Sequence, residues 1–188
     1  MPSLLALSKR YRLLAQESRA LRPLRPPARD IVRVSSLRSL PLRLGAIAVL
    51  LAIDRASKLW AVIWLRPRGS IPVLPFFHLT YLENTGAAFG LGRDLNVFFT
   101  IVTVLMLGVL AYLHWAWRDK GSWILAGLAL VGAGALGNLY DRLFYGFVVD
   151  FLDFRIWPVF NVADSCVTVG ACCLAWGLRL EEKKAAIC

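Results

Sequence analysis

The chain has 188 residues and is 58% hydrophobic, with a mean hydropathy of +0.60, so it is more apolar than a typical soluble domain. Its net charge of +10 is uneven, because residues 1–43 carry ten Lys or Arg against two acidic residues. On so apolar a chain, this basic flank indicates a cytoplasmic segment near anionic lipid rather than a nucleic-acid interface. The four Cys show neither zinc-site spacing nor a disulfide framework.

Residues 1–43 are predicted to be a basic cytoplasmic tail that is disordered or lies on the membrane surface. Residues 44–64 predict a first membrane helix, since about 20 residues are needed to cross a bilayer. Asp54 and Lys58 interrupt this apolar run and share one helical face, where they can pair. They either neutralise each other only, or they form a polar face turned towards a site inside the helix bundle.

The next elements alternate between loop and helix. Residues 65–94 form a loop in which Phe76–Leu82 has strand-like composition, which suggests a small sheet on the membrane. A second membrane helix is predicted over residues 95–117 and a third over residues 122–140. Four glycines on the third helix favour close approach of a neighbouring helix.

The most acidic stretch lies between the third and fourth predicted helices. Residues 141–158 are predicted to be a second loop, and a fourth helix is predicted over residues 159–179, after Pro158. Asp164 then lies five residues inside the helix, about 8 Å deep at the helical rise per residue. The predicted fold is an all-α membrane protein with four transmembrane helices and a small extracytoplasmic β-sheet. Residues 44–180 form its domain, and residues 181–188 form a short cytoplasmic C-terminal tail.

The distribution of basic residues predicts the topology. Fifteen Lys or Arg lie on the side of the two termini and five lie on the side of the two long loops. The positive-inside rule therefore places both termini in the cytoplasm and both loops outside. Asp150 and Asp164 then lie at the same outer face of the membrane.

Two neighbouring carboxylates at that face could act together in acid–base catalysis. Repulsion and partial desolvation make Asp150 and Asp164 share one proton, so one can take a proton from water while the other protonates a leaving group. This is the scheme of aspartic peptide hydrolysis. The structural interpretation is that Asp164 caps or hydrogen-bonds within the bundle and that Asp150 caps a short surface helix.

Two further interpretations use the same acidic residues. Four carboxylates could hold Mg²⁺ for a lipid phosphotransferase: Asp141, Asp150, Asp153 and Asp164. Alternatively, Asp54, Lys58 and Asp164 could form a proton or ion path through the membrane. Clustering of the acids at one surface, and the small number of helices, speak against transport.

Five motifs carry a resemblance to a known family, and they are DRASK (Asp54–Lys58), NTGAAFG (Asn84–Gly90), GNLYDR (Gly137–Arg142), VVDF (Val148–Phe151) and FNVADS (Phe160–Ser165). Over roughly residues 44–180, the chain resembles the lipoprotein signal peptidases, also called signal peptidase II. The resemblance implies an intramembrane aspartyl endopeptidase of the bacterial cytoplasmic (inner) membrane. Such an enzyme removes signal peptides from prolipoproteins by cleaving before a diacylglyceryl-modified Cys.

The resemblance also implies roles for individual residues. Asp150 and Asp164 are the catalytic pair, without metal or cofactor. The residues expected to bind substrate are Asn84, Gly86, Asn138, Arg142 and Asn161. Those expected to support the site are Asp54, Lys58 and Asp141.

The resemblance also implies which segments surround the site and which partners the chain binds. The loop of residues 65–94 becomes an outer cradle, and residues 143–158 become a short extracytoplasmic helix or lid over the site. The partners implied are lipid-modified prolipoprotein, membrane lipids and the inhibitor globomycin, and the chain is expected to be a monomer that binds no nucleic acid. Three features depart from the family: the long tail, the short segment between Asp150 and Asp164, and Arg55-Ala56-Ser57 where Gln-Leu-Thr is common.

Overall fold

The computed structural model describes residues 28–86 and 92–187. Contacts divide the chain into two units, Met1–Ser35 and Ser36–Cys188, and every contact described below lies within the second. The helices are α1 (Ala28–Trp60), α2 (Gly92–Ala116), α3 (Ser122–Phe144) and α4 (Val162–Ile187), and a single π-helical turn (Ala61–Leu65) follows α1. The strands are β1 (Ser70–Leu74), β2 (Phe77–Asn84) and β3 (Val148–Asp153).

Three of the described helices are long and apolar enough to cross a membrane: Leu95–Ala116, Ser122–Phe144 and Val162–Ala186. The chain is therefore a mostly helical membrane protein with a small sheet. Helix α1 includes residues 28–43, which the sequence assigned to the tail, whereas residues 1–27 lie outside the described part. The division into tail, domain and C-terminal tail stays a prediction.

The sheet has three antiparallel strands in the order β1-β2-β3. The first two form a hairpin in the predicted cradle loop. The third comes from the second loop, where Val148–Asp153 pairs with β2 so that Leu82 lies opposite Asp150 and Asn84 opposite Val148. The small predicted sheet is confirmed, and this pairing brings the amide of Asn84 to the carboxylate of Asp150.

The predicted helix or lid over residues 143–158 is wrong for its central part. A β-branched and aromatic run, Val-Val-Asp-Phe-Leu-Asp, favours a strand. The predicted loop also begins too early, because Asp141 and Arg142 belong to the last turns of α3. Pairing with β2 satisfies the backbone of this run, so no separate helix is needed to bury it.

Helices α3 and α4 pack closely because glycines lie where their backbones meet. A Cβ atom on Gly127 would lie 2.7 Å from the backbone oxygen of Gly170, and one on Gly134 would clash with the backbone oxygen of Ala163. Small residues permit such approach between membrane helices, where dispersion contacts replace the hydrophobic effect as the source of association. This contact sets the start of α4 against the middle of α3.

The substitution Gly134→Ala should lower the thermal unfolding midpoint, since overpacking costs about 1–3 kcal/mol. The matched control is Gly132→Ala on the same helix, because nothing lies within 4 Å of a Cβ atom at Gly132. That control should leave the midpoint unchanged or raise it, as Ala is the better helix former. Thermal unfolding in detergent measures both, and equal midpoints would contradict the proposed close contact.

Candidate active site

Asp150 lies on β3 and is almost completely buried, with 1% of its surface exposed. Its two oxygens accept hydrogen bonds from two amides: Asn84 Nδ2 at 2.9 Å and Asn161 Nδ2 at 2.7 Å. Burial raises the pKa of Asp150 to about 6, and the charge of Asp164 acts in the same direction. The amide hydrogen bonds and Lys58 oppose that rise without cancelling it.

Asp164 lies in the first turn of α4, so the predicted depth of five residues inside a helix from residue 159 is wrong. The helix begins later because Asn161 forms a reciprocal cap with Asp164. The Asp164 backbone N–H donates to Asn161 Oδ1 at 2.9 Å, and the Asn161 backbone N–H donates to Asp164 Oδ2 at 3.1 Å. This is the geometry of a capping box, which satisfies two backbone donors at a helix start.

Asn161 brings the two carboxylates together. Its side-chain amide donates to Asp150 while its backbone N–H donates to Asp164, and the residue is completely buried. The second oxygen of Asp164 accepts a hydrogen bond from Asn138 Nδ2 at 2.7 Å. The structure thus places both predicted catalytic residues, and all three of the predicted substrate-binding amides, in one cluster.

A buried cluster of charged side chains, formed by Lys58, Asp54 and Asp141, contacts Asn138 and the start of α4. Lys58 is completely buried, and its Nζ lies 2.8 Å from Asp54 Oδ2 and 2.9 Å from Asp141 Oδ2. The same ammonium donates to Asn138 Oδ1 at 3.0 Å, and the other oxygen of Asp54 accepts from the Ala163 backbone N–H at 3.0 Å. Asp54 and Lys58 therefore pair with each other and also contact Ala163 and Asn138, so mutual neutralisation alone does not describe them.

Sequence reasoning missed Arg55 as a member of this cluster. Its guanidinium pairs with Asp141 and lies over the rings of Tyr140 and Tyr145, with centroid distances of 4.9 and 5.2 Å. The signal available in the sequence was a charged residue inside an apolar helix, which usually has a partner.

Gly86 and Arg142 both lie against Phe99 of α2, close to the two carboxylates. The Gly86 backbone N–H donates to Asn84 Oδ1 at 2.8 Å, and Gly86 has a φ of 82°. A Cβ atom on Gly86 would lie 2.6 Å from the ring of Phe99. The half-buried guanidinium of Arg142 lies 5.7 Å from the centroid of that ring and interacts electrostatically with both Asp164 and Asp150. Residues 87–90 of the same motif lie outside the described residues.

The four acids of the metal interpretation do not converge. The backbone N–H of Arg155 donates to Asp153 and lowers its pKa most, and the Thr80 hydroxyl and the Arg155 guanidinium donate to it as well and act in the same direction. Asp141 is held by Lys58 and Arg55 instead. Within residues 28–86 and 92–187, no group of three or more His, Cys, Asp or Glu could hold a metal ion.

A buried carboxylate on a strand and a second, partly buried carboxylate in the first turn of a membrane helix, both in contact with Asn161, are arranged as the pair of an aspartic peptidase requires. A family model described as signal peptidase (SPase) II matches residues 46–180. The lipoprotein signal peptidase of Pelotomaculum thermopropionicum is 48% identical over 139 residues, which cover 73% of this chain and 91% of the relative. That of Moorella thermoacetica is also 48% identical, over 143 residues that cover 75% of this chain and 94% of the relative.

Solved structures agree with these matches. A bacterial membrane enzyme determined by the in meso method aligns with a TM-score of 0.66 at 30% identity, covering 77% of this chain and 91% of that one. A second, determined by the same method, gives 0.64 at 31% identity, with 73% and 92% covered. The chain belongs to the lipoprotein signal peptidase (signal peptidase II) family, as its motifs predicted. It is a bacterial membrane aspartyl protease with lipoprotein signal peptidase activity.

The substitution Gly86→Ala should reduce activity by about tenfold or more, because displacing the turn from Phe99 removes the Asn84 hydrogen bond to Asp150. The matched control is Gly69→Ala. Gly69 has a similar φ of 70°, but nothing lies within 4 Å of its Cβ position. Initial cleavage rates of a prolipoprotein distinguish the contact from the backbone strain that both variants share. Equal losses in the two variants would show that the contact with Phe99 is unimportant.

Proposed function

We propose that the chain cleaves prolipoproteins immediately before a diacylglyceryl-modified Cys, with Asp150 and Asp164 as the catalytic pair. The observation that carries this assignment is the shared contact of both carboxylates with Asn161. Carboxylates held on one residue lie close enough to act on the same water molecule and the same peptide bond. The family membership supports a prolipoprotein as the substrate.

Asp150 holds the shared proton in the resting pair, since its pKa is raised to about 6. Asp164 accepts a proton from water as the water oxygen attacks the scissile carbonyl carbon. Asp150 gives its proton to the leaving nitrogen as the carbon–nitrogen bond breaks. The products are a carboxylic acid and a free amine on the lipid-modified Cys, and the proton now on Asp164 returns to Asp150 for the next turnover.

The polar residues around the pair divide into two groups. Asn84, Asn138 and Asn161 already use side-chain atoms to hold the two carboxylates, so their first role is to orient the pair. Among the described residues, the guanidinium of Arg142 makes no ion pair within 4 Å, although it lies near both carboxylates. Arg142 is therefore the side chain best suited to bind a substrate carbonyl.

We further propose that the chain crosses the bacterial inner membrane four times, with α1 as the additional span. Both termini then lie in the cytoplasm. The excess of basic residues beside the termini supports this orientation. The active site then faces outwards. Ile156, in the segment between β3 and α4, is 93% exposed. A Cys introduced there should react with a membrane-impermeant maleimide in intact cells, and protection until lysis would reverse the topology. A monomer without nucleic acid stays a prediction.

The substitutions Asp150→Asn and Asp164→Asn should each reduce cleavage by about 10²–10⁴-fold, because each removes one proton-transfer group. Asp153→Asn is the matched control, since Asp153 lies on the same strand but contacts Thr80 and Arg155. The assay uses purified protein in detergent with a diacylated prolipoprotein, one arm with EDTA and one with globomycin.

Cleavage that survives EDTA, stops with globomycin and persists in Asp153→Asn supports the aspartyl mechanism. Wild-type rates in either Asp150→Asn or Asp164→Asn would remove that residue from the catalytic pair. Loss of cleavage in EDTA would favour the metal interpretation instead. Comparable thermal unfolding midpoints for the three variants exclude misfolding as the cause of any loss.

The value of kcat/KM should fall as the pH rises through about 6, because Asp150 then loses the proton it must donate. The substitution Asn84→Ala removes a hydrogen bond that favours the charged form of Asp150. Its removal should raise the pKa of Asp150 and move this alkaline limb to higher pH by about one unit. A limb that stays in place, or moves to lower pH, would contradict the assignment of Asp150 as the proton donor.

A further inference from the structure

Four charged side chains from α1 and α3 form one cluster beneath the catalytic pair. Lys58 lies between the carboxylates of Asp54 and Asp141, and Arg55 pairs with the other oxygen of Asp141. All except Arg55 are buried, while the Arg55 side chain is 26% exposed. Burial makes charge balance important, because an uncompensated charge in such surroundings is strongly destabilising.

Lys58 alone does not balance this cluster. Two carboxylates face one ammonium, so Asp54, Asp141 and Lys58 together carry a net charge of −1. Arg55 brings the sum to zero. The carboxylate of Asp141 is thereby shared between two cations, one on each oxygen.

The guanidinium of Arg55 is fixed by its neighbours as well as by its charge. It lies over Tyr140 at 4.9 Å and over Tyr145 at 5.2 Å, so two aromatic rings hold the planar group beside Asp141. The negative faces of the two rings attract the guanidinium by cation–π contact. An uncharged side chain at position 55 has no comparable attraction to either ring.

A continuous path of contacts joins Arg55 to the catalytic pair. Arg55 binds Asp141, Asp141 binds Lys58, Lys58 donates to Asn138, and Asn138 donates to Asp164. We propose that Arg55 is a positioning residue for peptide cleavage, which neutralises Asp141 and so keeps Lys58 and Asn138 in the orientation that holds Asp164. This inference rests on the proposed catalytic role of Asp150 and Asp164.

The proposal makes a prediction about pH because charge in this cluster acts on the nearby pair. The charged groups linked to the pair are Asp54, Arg55, Lys58, Asp141 and Arg142, and the titratable rings of Tyr140 and Tyr145 lie against Arg55. Removing the positive charge of Arg55 leaves a net negative cluster. A negative charge nearby favours the protonated form of Asp150 and raises its pKa.

The test compares kcat, KM and the pH profile of Arg55→Gln, Arg55→Lys and the double variant Arg55→Gln/Asp141→Asn with wild type. In Arg55→Gln, kcat should fall about tenfold with KM within about twofold, and the alkaline limb should move up by about half a unit. Arg55→Lys keeps the charge and should keep the limb at its wild-type position. The double variant restores charge balance and should return the limb to that position.

The matched control is Arg68→Gln. Arg68 also lies over an aromatic ring, 5.0 Å from the centroid of Trp64, and donates to that residue's backbone oxygen, but it has no carboxylate partner among the described residues. This control should leave kcat, KM and the pH profile unchanged. A shift in the control equal to that of Arg55→Gln would overturn the proposal.

Other outcomes are equally decisive. An unshifted limb and unchanged kcat in Arg55→Gln, with Asp150→Asn inactive, overturn the role of Arg55 while leaving the catalytic pair intact. Absence of cleavage by well-folded wild-type protein overturns the proposed function itself. If Arg55→Gln fails to fold, as judged by thermal unfolding, the comparison of Arg55→Lys with the double variant still decides, because different limb positions in the two would contradict control by charge balance.

Discussion

The buried ammonium of Lys58 is the interaction on which the rest of the site depends. It contacts two carboxylates and one amide, contributed by α1 and α3, and no part of its side chain reaches the surface. A charge in this position is tolerated only when all its donors are satisfied. The requirement fixes the rotation of α1 against α3, and Asp54 extends the constraint to α4 through the Ala163 backbone N–H.

Above this ion cluster, the site is built from amides. Asn138 accepts a hydrogen bond from Lys58 and donates one to Asp164. Asn161 donates to Asp164 through its backbone N–H and to Asp150 through its side-chain amide. An amide both donates and accepts, so it can transmit orientation from a cation to a carboxylate without adding charge. Preorganised polar groups of this kind are what a water-activating pair requires, because they need no rearrangement during reaction.

The residues of the candidate site could be predicted from the sequence more accurately than the bounds of the helices and strands that carry them. Charged residues in apolar surroundings pointed to Asp54, Lys58 and Asp164, because such residues are costly there without a role. The distribution of basic residues then placed Asp150 at the same membrane face as Asp164. The strand at Val148–Asp153 was missed because its partner, β2, lies more than sixty residues earlier in the chain and short apolar runs do not reveal pairing. Arg55 was missed because its partners lie more than eighty residues later in the chain. Asp141 and Tyr140 are near the C-terminal end of α3, and Tyr145 follows that end.

The structural and catalytic interpretations of Asp164 are complementary. As a capping residue, its carboxylate receives the Asn161 backbone N–H, and this bond restricts the rotation of the side chain. The helix start also favours a negative charge at this position. In the proposed mechanism Asp164 accepts a proton from water, and both effects favour this role because its orientation and its charge are set before the substrate arrives. The cap that begins α4 therefore belongs to the proposed catalytic site, and the later start of the helix places Asp164 in contact with Asn161, which also binds Asp150.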